Sequence, residues 1–196
     1  MKKKTIALIV CLTLIIGCAV GGTIAWLTDK TEAVTNTFTA GDVDIDLTET
    51  WNTDSDNNGV KDCWTAKMIP GASYTKDPVV SVTANSEDCW LFVKFEEKND
   101  AKTYLVYTST LTTDNGWTQG DGTSIPADVW YRKVLASDDT RSWHLLANDT
   151  VQINGEAVTK ANMSTADDAQ LVYTAYACQS ASFEDNAAGA WAKVQP

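Results

Sequence analysis

The sequence predicts an all-β fold, an antiparallel β-sandwich of the jelly-roll type with one or two short helices. Apolar and polar residues alternate with a period of two along many short segments, which is typical of half-buried strands. Turn signals such as Asp-Asn-Gly and Gly-Asp-Gly lie between these segments. Threonine, valine and aromatic residues are frequent and only 4 of the 196 residues are proline, a composition that suits strands better than helices.

About eight segments carry the strand pattern. In the first, Val43, Ile45 and Leu47 alternate with acidic residues, so that one face is apolar and the other acidic. The remaining segments are residues 79–84, 89–96, 103–107, 129–135, 142–147, 149–154 and 171–178. Two short helices are predicted around residues 164–170 and 183–191, with Ser164 and Ser182 as their N-caps.

The domain organisation is predicted to be a leader, residues 1–25, followed by a single β-sandwich domain, residues 26–196. Three lysines at positions 2–4 precede an uncharged apolar stretch at 5–20, the arrangement of a secretory signal peptide. Small or modest residues at Thr23 and Ala25 place the cleavage between Ala25 and Trp26. The alternative is a transmembrane span, because the apolar run extended to Leu27 reaches the roughly 20 residues that a bilayer requires.

The charge of the chain is strongly acidic, with 26 Asp and Glu against 15 Lys and Arg. Removing the leader takes away three lysines, which leaves 12 basic and 26 acidic residues and a formal net charge of −14. Such a surface repels phosphate backbones, so nucleic acid is excluded as a partner. It also attracts divalent cations.

The segment at residues 21–41, GGTIAWLTDKTEAVTNTFTAG, carries a family resemblance. It resembles the N-terminal region of Gram-positive proteins processed by a SipW-type signal peptidase, the group that contains the matrix fibre protein TasA and the camelysins. The matching positions are Gly21, Gly22, Thr23, Ala25, Asp29, Phe38 and Gly41. A looser similarity extends to residues 67–82 and 171–183.

The resemblance implies a jelly-roll fold, which agrees with the strand pattern, and a secreted protein of the cell surface or extracellular matrix. It implies a SipW-type signal peptidase as processing partner, and as further partners either other copies of the chain or other matrix proteins. In that family the segment after the cleavage site adds as a strand to a neighbouring subunit and builds a fibre. Here that segment is residues 26–41.

A lipoprotein signal is a second interpretation of the leader. Residues 15–18 read Ile-Ile-Gly-Cys, the pattern of a lipobox, in which Cys18 is lipidated and becomes the first mature residue. The apolar sequence that follows Cys18 would be an unusual tether.

An acidic loop at residues 54–62 is the candidate metal site. Asp54, Asp56, Asn58 and Asp62 supply side-chain oxygens at the spacing of the first part of a calcium loop, and Gly59 allows the sharp turn. The full twelve-residue pattern fails because Thr65 stands where a bidentate Glu belongs. An Asx-rich surface hairpin without an ion is the alternative. Ca²⁺ is the one cofactor that the sequence suggests.

The sequence predicts no catalytic residue and a protein that is not an enzyme. His144 is the single histidine of the chain, so the HExxH zinc arrangement cannot be built from it. No Ser or Cys lies in a recognisable nucleophile motif. Camelysins are classed as metallopeptidases, and such a peptidase is therefore kept as a further alternative.

The cysteines and tryptophans leave two questions open. Beyond the leader the chain holds Cys63, Cys89 and Cys178, for which either a Cys63–Cys89 disulfide with one free thiol or three reduced thiols is consistent. Six tryptophans could form a carbohydrate platform, but packing in a sandwich core explains most of them. They are Trp51, Trp64, Trp90, Trp117, Trp130 and Trp143.

The function predicted from these observations is that of a secreted, non-enzymatic structural protein of the cell surface or of a biofilm-like extracellular matrix. The alternative from a different class is a monomeric surface adhesin or binding module, which would use the loops at one end of the sandwich.

Overall fold

The computed structural model describes residues 43–50, 66–166, 169–183 and 185–195, all within one compact unit that spans residues 40–196. These described residues contain ten strands, so the all-β prediction is confirmed. The strands are β1 Ile45–Thr48, β2 Ser73–Thr75, β3 Val79–Val82, β4 Cys89–Lys98, β5 Leu105–Val106, β6 Thr118–Gln119, β7 Val129–Val134, β8 Ser142–His144, β9 Thr150–Ile153 and β10 Gln170–Gln179. The helices are α1 Ala101–Tyr104, α2 Met163–Ala166 and α3 Ala187–Val194.

The strands form three sheets, and every pairing between them is antiparallel. Sheet I has the order β1-β3-β8, sheet II the order β10-β4-β7-β6 and sheet III the order β2-β9-β5. The two longest strands, β4 and β10, pair over ten residues at the centre and edge of sheet II.

The sandwich core lies between sheets I and II. It consists of Val80, Val82, Cys89, Leu91, Val93, Leu111, Trp117, Val134 and Leu145, all nearly or fully inaccessible to solvent. Strand β4 supplies its odd-numbered residues to this core because successive side chains of a strand point to opposite faces. Val43 and Ile45 pack against the core as predicted, whereas Leu47, near the end of β1, remains 38% exposed.

The second face of sheet II is covered by α3. The even-numbered residues Trp90 and Phe92 of β4 pack with Ala187, Ala190 and Trp191 of this helix. The central strand is therefore buried on both faces, which explains why residues 89–93 form one continuous apolar run rather than an alternating pattern.

Sheet III has a small core of its own. Ile153 of β9, Val158 in the following turn and Ala166 of α2 are buried together. Partly buried side chains of Met68, Tyr74, Tyr104 and Leu105 pack around them. This small core holds the segment between β9 and β10 against sheet III.

Several element boundaries differ from the predictions. The strand predicted at 103–107 begins as the helix α1 and is extended only at 105–106. Ser164 lies inside α2 instead of capping it. Helix α3 begins at Ala187, and its N-cap is Asn186, whose side chain accepts a hydrogen bond from the Gly189 N–H, rather than Ser182.

None of the helices in the described segments has the length and hydropathy that crossing a bilayer would require.

Candidate functional site

Most of the predicted site residues lie outside the described residues. These are the cleavage pair Ala25 and Trp26, the alternative lipidation site Cys18, the calcium-loop residues Asp54, Asp56, Asn58 and Asp62, and Cys63. The cleavage, the lipidation, the calcium loop and the Cys63–Cys89 disulfide therefore stay predictions.

The two described cysteines, Cys89 and Cys178, lie on opposite faces of sheet II and are not bonded to each other. Cys89 is fully buried in the sandwich core. Cys178 packs against the apolar cluster between sheet II and α3. Side chains on opposite faces cannot approach to disulfide distance, so these two do not pair. Burial raises the pKa of Cys89 to about 11, and burial also raises the pKa of the Cys178 thiol. Neither thiol has the depressed pKa of a nucleophile.

His144 is an exposed strand residue at the end of β8. Its side chain is 59% accessible and its Nδ1 lies 2.8 Å from the Asp149 Oδ1. In the described part of the chain, no three His, Cys, Asp or Glu side chains lie close enough together to hold a metal ion.

Of the six tryptophans that could form a platform, four lie within the described residues, and they pack as a sandwich core requires. Trp90 and Trp117 are buried, and Trp130 and Trp143 are partly buried against the sandwich core. The prediction that core packing accounts for these tryptophans is confirmed. Trp51 and Trp64 lie outside the described residues.

A shallow, open groove of about 300 Å³ runs beside the edge strand β8. Its lining residues are Thr110, Asn115, Trp117, Ser142, Trp143 and His144. The groove exists because the chain at 108–110 pairs with residues 145–147 and then turns away into the 3-10 helix Thr113–Asn115. The edge of β8 is thereby left uncovered by any strand of the described residues. We name it the β8 groove.

Arg132 of β7 packs against Trp117 and Trp143, the two aromatic residues beside the β8 groove. Its guanidinium carbon lies 4.2 Å from the ring centre of Trp143 and 5.2 Å from that of Trp117. Burial lowers the pKa of Arg132, and no carboxylate of the described residues lies within 4 Å of it. The arginine does not itself line the groove, so it supports the rings.

The sequence contains a signal for this arrangement that the strand prediction did not use. Alternation in β7 places Arg132 on the same face as Trp130 and Val134, which both face the sandwich core. A charged residue at an inward position of a strand requires a partner, and aromatic rings serve that role for a guanidinium.

The outer edge of β10 is the second candidate interaction site. The Ser180 N–H donates to the Asp88 carbonyl over 2.8 Å. The backbone N–H and C=O groups of the even-numbered residues of β10 therefore bond to β4, and those of the odd-numbered residues point away from β4. No strand of the described residues lies on that outer side. None of the ten residues of β10 is fully buried, whereas five of the ten residues of β4 with which they pair are fully buried.

Comparisons with known proteins add no assignment: no family model matches the chain, and neither the curated proteins nor the solved structures include a match.

Proposed function

We propose that the chain is a secreted, non-enzymatic structural protein of the cell surface or extracellular matrix, which polymerises by strand addition. The observation that supports the proposal is the outer edge of β10. Among the described residues, no strand pairs with the outward N–H and C=O groups of the odd-numbered residues of β10, and such an edge is the acceptor that an extended segment of a second copy needs.

The donor in this proposal is the segment 26–41, the part that follows the predicted cleavage site. Sixteen extended residues span about 53 Å and the ten residues of β10 span about 33 Å, so the donor is long enough to cover the edge. Its apolar side chains include Leu27, Val34 and Phe38. The acidic charge of the chain opposes non-specific association between copies, so assembly requires a specific interface.

The first experiment images the purified exported protein by negative-stain electron microscopy and measures its size by chromatography. Fibres are expected from the wild type, and none from a variant that lacks residues 26–37. A wild type that stays monomeric contradicts the proposal and favours the binding module.

A second pair of variants tests the acceptor edge. Ala177 is an odd-numbered residue of β10, so its N–H points to the outer edge. Ala177→Pro removes that donor from an edge strand, where proline is tolerated, while Ala177→Ser retains it. We expect monomeric, folded A177P protein and fibrous A177S protein. Fibres from folded A177P would show that β10 is not the acceptor.

A monomeric binding module is the second candidate function, and the β8 groove is the observation in its favour. The groove combines aromatic surface with hydroxyl, amide and imidazole groups, the composition of small-ligand sites.

A further inference from the structure

The outer edge of β1 is an open edge of sheet I. Strand β1 pairs with β3 on one side, and no strand of the described residues lies on its other side. The Thr83 N–H donates to the Asp44 carbonyl over 3.0 Å, so the even-numbered residues of this stretch bond to β3. The backbone N–H and C=O groups of Val43, Ile45 and Leu47 therefore point outwards from the sheet.

The apolar side chains along this edge are only partly covered. Val43 and Ile45 pack against the sandwich core but are half-buried, and Leu47 is 38% exposed. In the neighbouring strand β3, the core residues Val80 and Val82 are almost completely buried. A further strand beside β1 would bury the half-covered row, and burial of apolar surface favours the addition of such a strand.

The segment of residues 34–40, which lies just before β1 and outside the described residues, has the pattern of a strand. Its even-numbered positions hold Val34, Asn36, Phe38 and Ala40, three of which are apolar, and its odd-numbered positions hold threonines. Valine, threonine and phenylalanine are favourable residues in strands. The segment is therefore an occupant for the β1 edge that is covalently attached to it.

The loop between this segment and β1 determines how the two would pair. Gly41 and Asp42 are the two residues between Ala40 and Val43, and a two-residue loop with glycine first is typical of a type II′ hairpin turn. In such a hairpin the residues that flank the loop exchange hydrogen bonds. Val43 must then direct its N–H and C=O groups to the outer side of β1, and the bonding between β1 and β3 directs them there.

The same register places the apolar side chains of the segment on the core face. Phe38 comes opposite Ile45 and Ala40 opposite Val43, and residues directly opposite in an antiparallel pair share a face. Val43 and Ile45 face the sandwich core, so Phe38 and Ala40 face it as well. A shift by one residue would turn Phe38 to solvent. The backbone bonds of β1 and the side chains of β1 thus select one and the same register.

The β1 edge of a second copy is a less suitable occupant. Two β1 edges in antiparallel contact would bring the exposed carboxylates of Asp44 and Asp46 opposite those of the other copy, and like charges directly opposite are destabilising. In the hairpin, Asp44 and Asp46 lie opposite Thr39 and Thr37, which carry no charge.

We infer that in the free monomer residues 34–40 fold back as a hairpin strand on the outer edge of β1. Strand β1 lies against β10, so the added strand also lies beside the outer edge of β10. One consequence rests on the proposed function, in which residues 26–41 are the donor and β10 is the acceptor. The hairpin engages part of the donor and stands beside the acceptor, so it must open before a second copy can be bound.

NMR spectra of the monomer fraction of the purified exported protein test the hairpin directly. Thr39 with Asp44 and Thr37 with Asp46 are its non-hydrogen-bonded pairs, whose Cα atoms should be about 4.5 Å apart. We expect nuclear Overhauser effects between the Hα atoms within both pairs. A folded monomer that shows neither effect would overturn the inference.

Engineered cysteines provide an independent test. Thr37→Cys/Asp46→Cys should form an intramolecular disulfide on mild oxidation, because the expected Cα separation of about 4.5 Å is within the range of disulfides. Asn36→Cys/Asp46→Cys is the matched control, in which the two side chains point to opposite faces and should not bond to each other. Peptide mass spectrometry identifies the bonds. Equal yields of the two crosslinks would also overturn the inference.

The crosslinked protein separates the hairpin from the proposed function. Oxidised T37C/D46C should remain monomeric and should form fibres after reduction, whereas N36C/D46C should form fibres in both states. Fibres from the oxidised, crosslinked protein would show that assembly does not require the hairpin to open. A wild type that forms no fibres contradicts the proposed function alone, because the Overhauser effects and the crosslink yields decide the hairpin without it.

Discussion

The Lys76 Nζ lies 2.6 Å from the Glu49 Oε1, and each of these side chains is only 10% exposed. Glu49 directly follows β1 and Lys76 directly follows β2, so this buried ion pair joins the end of sheet I to the end of sheet III. The ring of Tyr173 lies 6.0 Å from the ammonium. The next residues continue the junction, since the Thr50 N–H and hydroxyl both donate to the carboxylate of Asp77.

Glu49→Gln should destabilise the fold by about 2 kcal/mol, because a hydrogen bond between charged groups is replaced by a weaker one beside a buried ammonium. Asp185→Asn is the matched control. Asp185 pairs with Lys133 over 3.7 Å but its side chain is fully exposed, so its loss should cost less than about 0.5 kcal/mol. Urea unfolding measures the free energy of unfolding of both variants. Equal effects of the two variants would show that burial does not strengthen the Glu49–Lys76 pair.

Asp121 should give the stability a dependence on acid pH. Its Oδ1 accepts hydrogen bonds from the backbone N–H groups of Thr123, Ser124 and Ile125 over 2.8, 2.7 and 3.1 Å. The bonds from Ile125, Thr123 and Ser124 lower the pKa of Asp121 below its ordinary value of 3.8. The carboxylate therefore stabilises the fold above pH 3.8, and this contribution is lost as the pH falls through the lower folded-state pKa.

Carbon-detected NMR titration of Asp121 should give a midpoint below 3.8. Asp121→Asn keeps the accepting Oδ1 but cannot titrate, so its stability should vary less between about pH 5 and pH 2 than that of the wild type. An Asp121 midpoint at or above the ordinary value contradicts the prediction.

The Cys89 thiol should resist alkylation in the folded protein. Because burial raises the pKa of Cys89 to about 11, almost none of it is thiolate at about pH 8.5, and the fully buried sulfur is also inaccessible. Cys178 is half-buried and should react faster. Iodoacetamide labelling followed by peptide mass spectrometry measures the two rates. Equal rates in folded protein would contradict the burial of Cys89.

The same labelling in urea tests the predicted disulfide. Without reductant, an unlabelled Cys89 in unfolded protein would support the Cys63–Cys89 bond, and complete labelling of Cys89 would support the reduced alternative.

Trp191→Ala should destabilise the fold by about 4 kcal/mol, because it removes a large buried ring and leaves a cavity. The ring centre of Trp191 lies 5.3 Å from those of both Phe92 and Tyr176, so this side chain connects α3 to two strands of sheet II. Lys193→Ala, an exposed position on the same helix, is the control and should change the stability by less than about 0.5 kcal/mol. Similar urea midpoints for the two variants would mean that α3 contributes little.

The strands that the sequence predicted are those with enough residues to display a period. Segments 89–96, 129–135 and 171–178 correspond to β4, β7 and β10 within two residues at each end. Strands β2 and β6 were not predicted because three and two residues cannot display an alternation, and they are strands only through pairing with β9 and β7. Tertiary pairing, not local preference, determines them.

The candidate sites depend even more on long-range contacts. The β8 groove joins Asn115 to Ser142, and the ion pair joins Glu49 to Lys76, separations that no local pattern encodes. The helix caps were predicted at serines because serine is a common N-cap. The polar residue that directly precedes α3 is Asn186, and its side chain accepts a hydrogen bond from the Gly189 N–H.

The order in which sheet II can be completed follows from the position of β4 along the chain. Strand β4 ends at Lys98, whereas its neighbours begin at Val129 and Gln170 and the helix that covers it begins at Ala187. A chain that emerges N-terminus first therefore presents its most apolar strand long before any of its partners has arrived. The burial of this strand depends on α3, so a chain truncated before Ala187 should expose Phe92 and Tyr176 and aggregate rather than form a smaller folded domain.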